Sequence, residues 1–189
     1  MESDHVERVR AQWARERPDL DTHALAVIAR LGRAAHHLDR NLADFFGRHG
    51  LSRADWDVLA SLRREGFPYA LSPTALHRGL MRTSGAMSQR LASLERQDLI
   101  RRTLDTADRR GIVVSLTAKG RRLVDRIGAE HLANEERLLT ALSKKEQETL
   151  ARLLRKLLLA YEAEQPFPPG ESQMRRPRRR RKHPRQPTG

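Results

Sequence analysis

Four charged residues, Asp105, Asp108, Arg109 and Arg110, lie in a short segment between two runs rich in strand-forming residues, RTL and GIVVSLT. β-Branched residues favour strands, so the segment predicts a β-hairpin whose tip carries the charges. An arginine at such a tip can enter a DNA minor groove and sense its width and negative potential. Asp108 could hold that guanidinium in place. Taken alone, paired arginines on a hairpin also fit a solvated turn.

A pair of helices precedes the hairpin. Ser72 followed by Pro73 is typical of a helix start with proline at the first helical position, and SGAMSQRLASLERQ forms the second helix after a tight connection. The face of this second helix opposite its leucines is small and polar, which allows close approach to a major groove and hydrogen bonds to base edges. The predicted DNA-binding residues are Thr83, Ser84, Gly85, Ser88, Gln89, Arg109 and Arg110.

The elements that must position these residues are mostly helical. Apolar residues recur every three or four positions from His23 to Arg48, from Thr117 to about Leu142, and again after the capping box Ser143–Glu146. The segment GFPYALSP is rich in turn residues and is predicted as a loop. We therefore predict a mainly α fold with a small β-hairpin wing: a winged helix-turn-helix with a helical dimerisation bundle.

The long leucine-rich helices at both ends of the chain cannot bury their apolar stripes on one small winged domain. A second copy of the chain would cover them, and a monomeric bundle is the alternative. The predicted organisation is as follows: an N-terminal extension helix over 1–20, a helical dimerisation region over 21–50 and 117–165, a winged helix-turn-helix over 51–116, and a disordered basic tail over 166–189.

Composition narrows the class of protein. The 189 residues carry a formal charge of +13, which favours polyanionic partners, nucleic acid before an anionic membrane surface. The tail holds eight Lys or Arg and one acidic residue; it could add phosphate contacts or be a solubilising remnant. The absence of cysteine excludes disulfides, thiol catalysis and cysteine zinc sites. We find no signal peptide and no membrane span, so we expect a cytoplasmic protein.

Enzymatic chemistry has little support in the sequence. The eight histidines show no metal-ligand spacing, and neither a phosphate-binding glycine loop nor a nucleophile motif occurs. We expect no cofactor, no metal and no catalytic residue.

The stretch Thr83–Gly120, TSGAMSQRLASLERQDLIRRTLDTADRRGIVVSLTAKG, resembles the MarR family of bacterial transcriptional regulators, and the resemblance extends over about residues 23–163. It implies a homodimer on a pseudo-palindromic operator in the bacterial nucleoid. A finer resemblance, to the urate-responsive PecS-like and HucR-like repressors, implies a repressor released by a small anionic ligand such as urate. The ligand-binding residues implied by it are Trp13, Asp57, Ser88, Arg90 and Arg102.

These residue types suit a flat, electron-rich monoanion. A tryptophan can stack on such a ring, an arginine can pair with its charge and carbonyl groups, and an aspartate can accept from its N–H groups. We expect Asp57 and Arg102 to pair while the site is empty. Each residue also has an ordinary alternative. These are Trp13 as a staple for the extra helix, Asp57 with Arg102 as a structural ion pair, Arg90 as a phosphate contact, and Ser88 as a base-facing or small packing residue. A ligand-independent architectural DNA-binding protein is the alternative function.

Overall fold

The computed structural model describes residues 3–80, 84–105 and 111–164. In these residues the chain forms helices and a small sheet, so the predicted mainly α fold with a β-hairpin is confirmed. The elements in chain order are α1 His5–Glu16, α2 His23–Arg48, α3 Arg53–Arg64, β1 Ala70–Leu71, α4 Pro73–Gly79, α5 Ser84–Arg96, β2 Ile100–Leu104, β3 Ile112–Leu116, α6 Ala118–Leu138 and α7 Lys144–Glu164.

Helix starts follow local side-chain chemistry. The Ser72 hydroxyl accepts from the Ala75 N–H at 3.1 Å, which satisfies one of the N–H groups left without a partner in the first turn of α4. The predicted capping box before α7 is confirmed: the Glu146 carboxylate accepts from the Ser143 N–H at 2.8 Å and from its hydroxyl at 2.7 Å. These hydrogen bonds lower the pKa of Glu146.

The sheet has three antiparallel strands in the order β1-β3-β2. Strands β2 and β3 pair from Ile100 with Leu116 to Leu104 with Ile112, as the hairpin prediction requires. The prediction of a loop over GFPYALSP was wrong for two of its residues, because Ala70 and Leu71 pair with β3 as an edge strand. Two residues are too few to show the alternation by which a strand is recognised in a sequence.

The chain divides into two compact units. The first contains Met1–Asp57 and Leu123–Glu148, and its core stacks the rings of Phe46 and Trp56 with centroids 5.3 Å apart. The His131 ring lies 5.0 Å from that of Phe46. The second unit contains Val58–Arg122 and the chain from Thr149 onwards. Its most deeply buried side chains are Leu59, Leu62, Leu76, Leu94, Ile100, Val58 and Val114.

In the second unit, the first turn of α6 lies against the backbone at the start of β2. The Thr117 hydroxyl donates to the Asp98 carbonyl oxygen at 2.7 Å and accepts from the Gly120 N–H at 2.9 Å. A Cβ atom on Gly120 would overlap the carbonyl oxygen of Leu99 and lie 2.9 Å from its carbonyl carbon. Only glycine therefore allows this approach without a backbone shift.

We expect Gly120→Ala to destabilise the protein by about 3 kcal/mol, because the added methyl group cannot displace a backbone carbonyl without strain. The matched control is Gly128→Ala in the same helix, where the added Cβ would be 3.9 Å from the Trp56 ring. Alanine there should stabilise the helix by about 0.5–1 kcal/mol. Urea unfolding of both variants measures the difference in stability. Equal unfolding midpoints for Gly120→Ala and Gly128→Ala would contradict the requirement for glycine at position 120.

Candidate nucleic-acid interface and ligand residues

Helix α5 is the second helix of the predicted pair, and its two sides differ sharply. Met87, Leu91 and Leu94 are buried, while Ser88 and Gln89 are exposed. The side chains of residues 84–86 are not among those described, although Ser84 and Gly85 belong to the helix. Thr83 lies outside the described residues. The described part of α5 thus presents small polar side chains to solvent, as contact with base edges requires.

The β2–β3 hairpin follows α5 directly. Its last pair is Leu104 with Ile112, and beyond it the Asp105 N–H donates to the Gly111 carbonyl oxygen at 2.9 Å. Leu104 and Ile112 are both exposed, so this end of the hairpin is not packed into the core. The predicted wing residues Arg109 and Arg110, with Asp108, lie outside the described residues.

Charge is divided unequally between the two units. The segment Val58–Arg122 holds 13 Lys or Arg and five Asp or Glu, a formal charge of +8. The two segments of the first unit together hold 13 basic and 16 acidic residues, a formal charge of −3. The positive field that attracts a polyanion therefore comes from the segment that contains α5 and the hairpin, together with the basic chain after Thr149.

Arg102, a predicted ligand residue on β2, is held by Glu95 of α5. Glu95 Oε2 accepts from the Arg102 Nε at 2.7 Å and lies 2.5 Å from Nη2, while Oε1 accepts from the Arg102 backbone N–H at 3.0 Å. These bonds lower the pKa of Glu95. We expected Asp57 as the partner of Arg102; the partner in the structure is Glu95, which the sequence reasoning missed.

The remaining ligand residues of the second unit leave α5 in different directions. Ser88 and Glu95 are seven residues apart, so they lie on one flank of the helix, two turns from each other. Arg90 is two residues from Ser88 and leaves the helix about 160° away from it. Ser88 thus shares a flank with the Glu95–Arg102 pair, and the half-buried Arg90 does not.

Trp13 and Asp57 belong to the first unit. Trp13 lies in the last part of α1 and is 44% exposed, whereas Val6 in the first turn is only 3% exposed. Arg30 of α2 also holds α1, through Asp4 at 2.8 Å and Glu7 at 3.1 Å; the Arg30 hydrogen bond is the main reason that the pKa of Asp4 is lowered. Val6 and Arg30 therefore anchor the start of α1, while Trp13 in its last part remains partly exposed.

Within 3–80, 84–105 and 111–164, no three His, Asp or Glu side chains are grouped as metal ligands. In the same ranges no helix has the length and apolar character needed to cross a bilayer.

A helix pair with an exposed polar second helix, followed by a hairpin in a strongly basic unit, defines a winged helix-turn-helix DNA-binding protein. Comparison with known proteins identifies the family to which this DNA-binding protein belongs. The MarR family model matches residues 49–111, and the regulator PecS of Dickeya dadantii is 39% identical over 143 residues, which are 76% of this chain and 86% of PecS. The chain belongs to the MarR family and is a DNA-binding transcriptional regulator.

Solved structures agree with this fold. Sco3205, a MarR family regulator of Streptomyces coelicolor in complex with DNA, aligns with a TM-score of 0.68 at 24% identity, covering 78% of this chain and 91% of that one. BpsR of Bordetella bronchiseptica, whose DNA binding is regulated by 6-hydroxynicotinic acid, aligns with a TM-score of 0.62 at 25% identity, covering 69% and 91% of the two chains.

The Glu95–Arg102 pair gives a pH-dependent prediction. Because folding lowers the pKa of Glu95, the pair stabilises the protein above the carboxyl's ordinary pKa and loses this effect as the pH falls through the lowered value. Wild type should therefore be more stable than Glu95→Gln at about pH 6, and this advantage should shrink as the pH is lowered below the ordinary carboxyl range. Urea unfolding at several pH values measures the difference in free energy of unfolding between the two proteins. A difference that does not change with pH would contradict the stabilising role of the Glu95–Arg102 pair.

Proposed function

We propose that the protein is a repressor that binds a pseudo-palindromic operator in the bacterial nucleoid as a homodimer and is released by a small anionic, urate-like ligand. The observation that carries the proposal is the exposed Ser88–Gln89 face of α5 in a segment of formal charge +8. Each protomer would lay this face in a major groove and the Arg109/Arg110 wing in the adjoining minor groove. Thr83, Ser84 and Gly85 would approach the DNA at the start of α5.

The homodimer is supported by helix α7, in which no residue is buried. One side of this helix carries a continuous apolar stripe, and a contiguous exposed apolar surface of this kind marks an interaction site. A two-fold partner would cover the same stripe on both chains. Its exposed members are Leu150, Leu153, Leu157, Leu158 and Tyr161.

We expect Leu157→Glu to convert the protein to a monomer and to abolish operator binding, because a carboxylate inside an apolar interface would be desolvated without a partner. The matched control is Leu159→Glu. Leu159 is 52% exposed and Leu157 37% exposed, but Leu159 leaves the helix about 160° from Leu157. Sedimentation velocity should show a dimer for the control. Two dimeric variants would exclude the α7 stripe as the interface.

The ligand class is supported by the residue types and by one relative. Arg102 supplies a guanidinium edge for an anion, and the partly exposed Trp13 supplies an aromatic ring for stacking. Asp57, Ser88 and Arg90 complete the proposed set with a hydrogen-bond acceptor, a hydroxyl and a second cation. 6-Hydroxynicotinic acid, which regulates the DNA binding of BpsR, is also a flat heteroaromatic acid. Xanthine and other purine-like metabolites belong to the same chemical class as urate.

The proposal is tested by mobility shift on the DNA upstream of the protein's own gene, with urate and 6-hydroxynicotinic acid titrated separately. Wild type should be released by at least one of them. Trp13→Ala and Asp57→Ala should bind the DNA but require at least about tenfold more ligand, since each loses one charged or stacking contact. Trp13→Phe keeps an aromatic ring and should stay within about threefold of wild type.

The outcomes separate the two parts of the proposal. Specific DNA binding without release by either compound would contradict the proposed ligand class. It would still be consistent with a sequence-specific DNA-binding regulator. Binding that does not depend on DNA sequence would favour the second candidate, a ligand-independent architectural protein. That candidate is supported by the Arg-rich chain after residue 166, which provides sequence-independent phosphate contacts.

A further inference from the structure

We propose that Glu95 is an internal competitor for the ligand: its carboxylate occupies the anion-binding edge of Arg102, so an incoming anion must displace it. The inference rests on the proposed function, and it adds a residue that sets ligand affinity and links ligand binding to the DNA-binding elements.

The geometry of the pair is that of an occupied anion site. Three N–H donors of one residue, the Nε, the Nη2 and the backbone N–H of Arg102, converge on a single carboxylate at 2.5–3.0 Å. The Nε and Nη2 of the guanidinium edge both face one oxygen, Oε2, and the backbone N–H donates to the other, so both oxygens of the carboxylate are held. An aromatic carboxylate or the deprotonated face of a urate ring offers the same two adjacent acceptors.

The pair is also accessible to solvent. The side chains of Arg102 and Glu95 are 38% and 33% exposed, so a ligand can reach the guanidinium without unfolding the surroundings. Exposed ion pairs are weak because water screens them. A ligand that brings additional contacts can therefore replace Glu95, and part of its binding free energy is spent on the exchange.

Displacement of Glu95 would change the DNA-binding elements directly. Glu95 lies in the last turn of α5, and Arg102 is the third residue of β2, so their bond ties the major-groove helix to the first strand of the wing. A ligand that takes Arg102 removes this tie. It thereby makes contacts in one state that it cannot make in the other, which is the condition for a ligand to shift a conformational equilibrium.

The test is the affinity of the full-length protein for urate and for 6-hydroxynicotinic acid in the absence of DNA, measured by calorimetry. Glu95→Gln keeps the shape of the side chain and removes its charge. We expect it to bind the active compound about three- to tenfold more tightly than wild type, because the competing carboxylate is gone. Release from DNA should then require correspondingly less ligand.

Glu65→Gln is the matched control, since it makes the same change at an exposed position of the same unit. It should bind the ligand like wild type, which separates competition at Arg102 from a general increase in positive charge. Arg102→Gln should remove the gain when combined with Glu95→Gln. Glu95→Asp, whose shorter carboxylate cannot span the same donors, should give a smaller gain of about twofold and serves if Glu95→Gln does not fold.

The possible results separate the role of Glu95 as a competitor from the proposed ligand class. Wild type that binds ligand as tightly as Glu95→Gln and Glu95→Asp, or more tightly, would overturn the role of Glu95 and leave the ligand class standing. An equal gain in Glu65→Gln would also overturn it. If neither compound binds wild type or the Glu95 variants, the ligand class and the role of Glu95 both fail.

Discussion

The arrangement of the second unit depends on one close backbone contact, that of Gly120 with Leu99. Three elements meet there. Helix α5 ends with the Leu99 N–H bonded to the Leu94 carbonyl oxygen at 3.0 Å, β2 begins at Ile100, and α6 starts over the same carbonyl groups. A helix that could not approach Leu99 would also lose the Thr117 hydrogen bonds to this turn. Helix α5 and the base of the β2–β3 hairpin are thus fixed by the same few atoms.

The same turn explains why Glu95 and Arg102 meet. Asp98 adopts a left-handed conformation with φ of 56°, which ends the helix and reverses the chain. The reversal returns the strand alongside the last turn of α5, so a residue before the turn can bond to one after it. Periodicity does not predict this pairing, because seven residues across a chain reversal correspond to no regular period. An acid and a base flanking the turn were the only signal.

Sequence periodicity was sufficient to predict the long helices. The range His23–Arg48 predicted for the second helix is the observed range of α2, because seven turns of amphipathic pattern leave little ambiguity. The hairpin was equally clear from its Val and Ile residues. Strand β1 was missed because a two-residue edge strand is defined by its partner rather than by its own pattern. The partner of Arg102 was missed for the same reason: it depends on tertiary contact and not on local preference.

The unequal charges of the two units have a consequence for how the protein finds DNA. In ordinary salt the Debye length is about 10 Å, so charges on the protein act on a duplex mainly within roughly that distance. The acidic segments of the first unit are repelled by the phosphate backbone, while Val58–Arg122 is attracted. Encounters in which the Val58–Arg122 segment meets the duplex are therefore favoured before any base is read, and this preference weakens as the salt concentration rises.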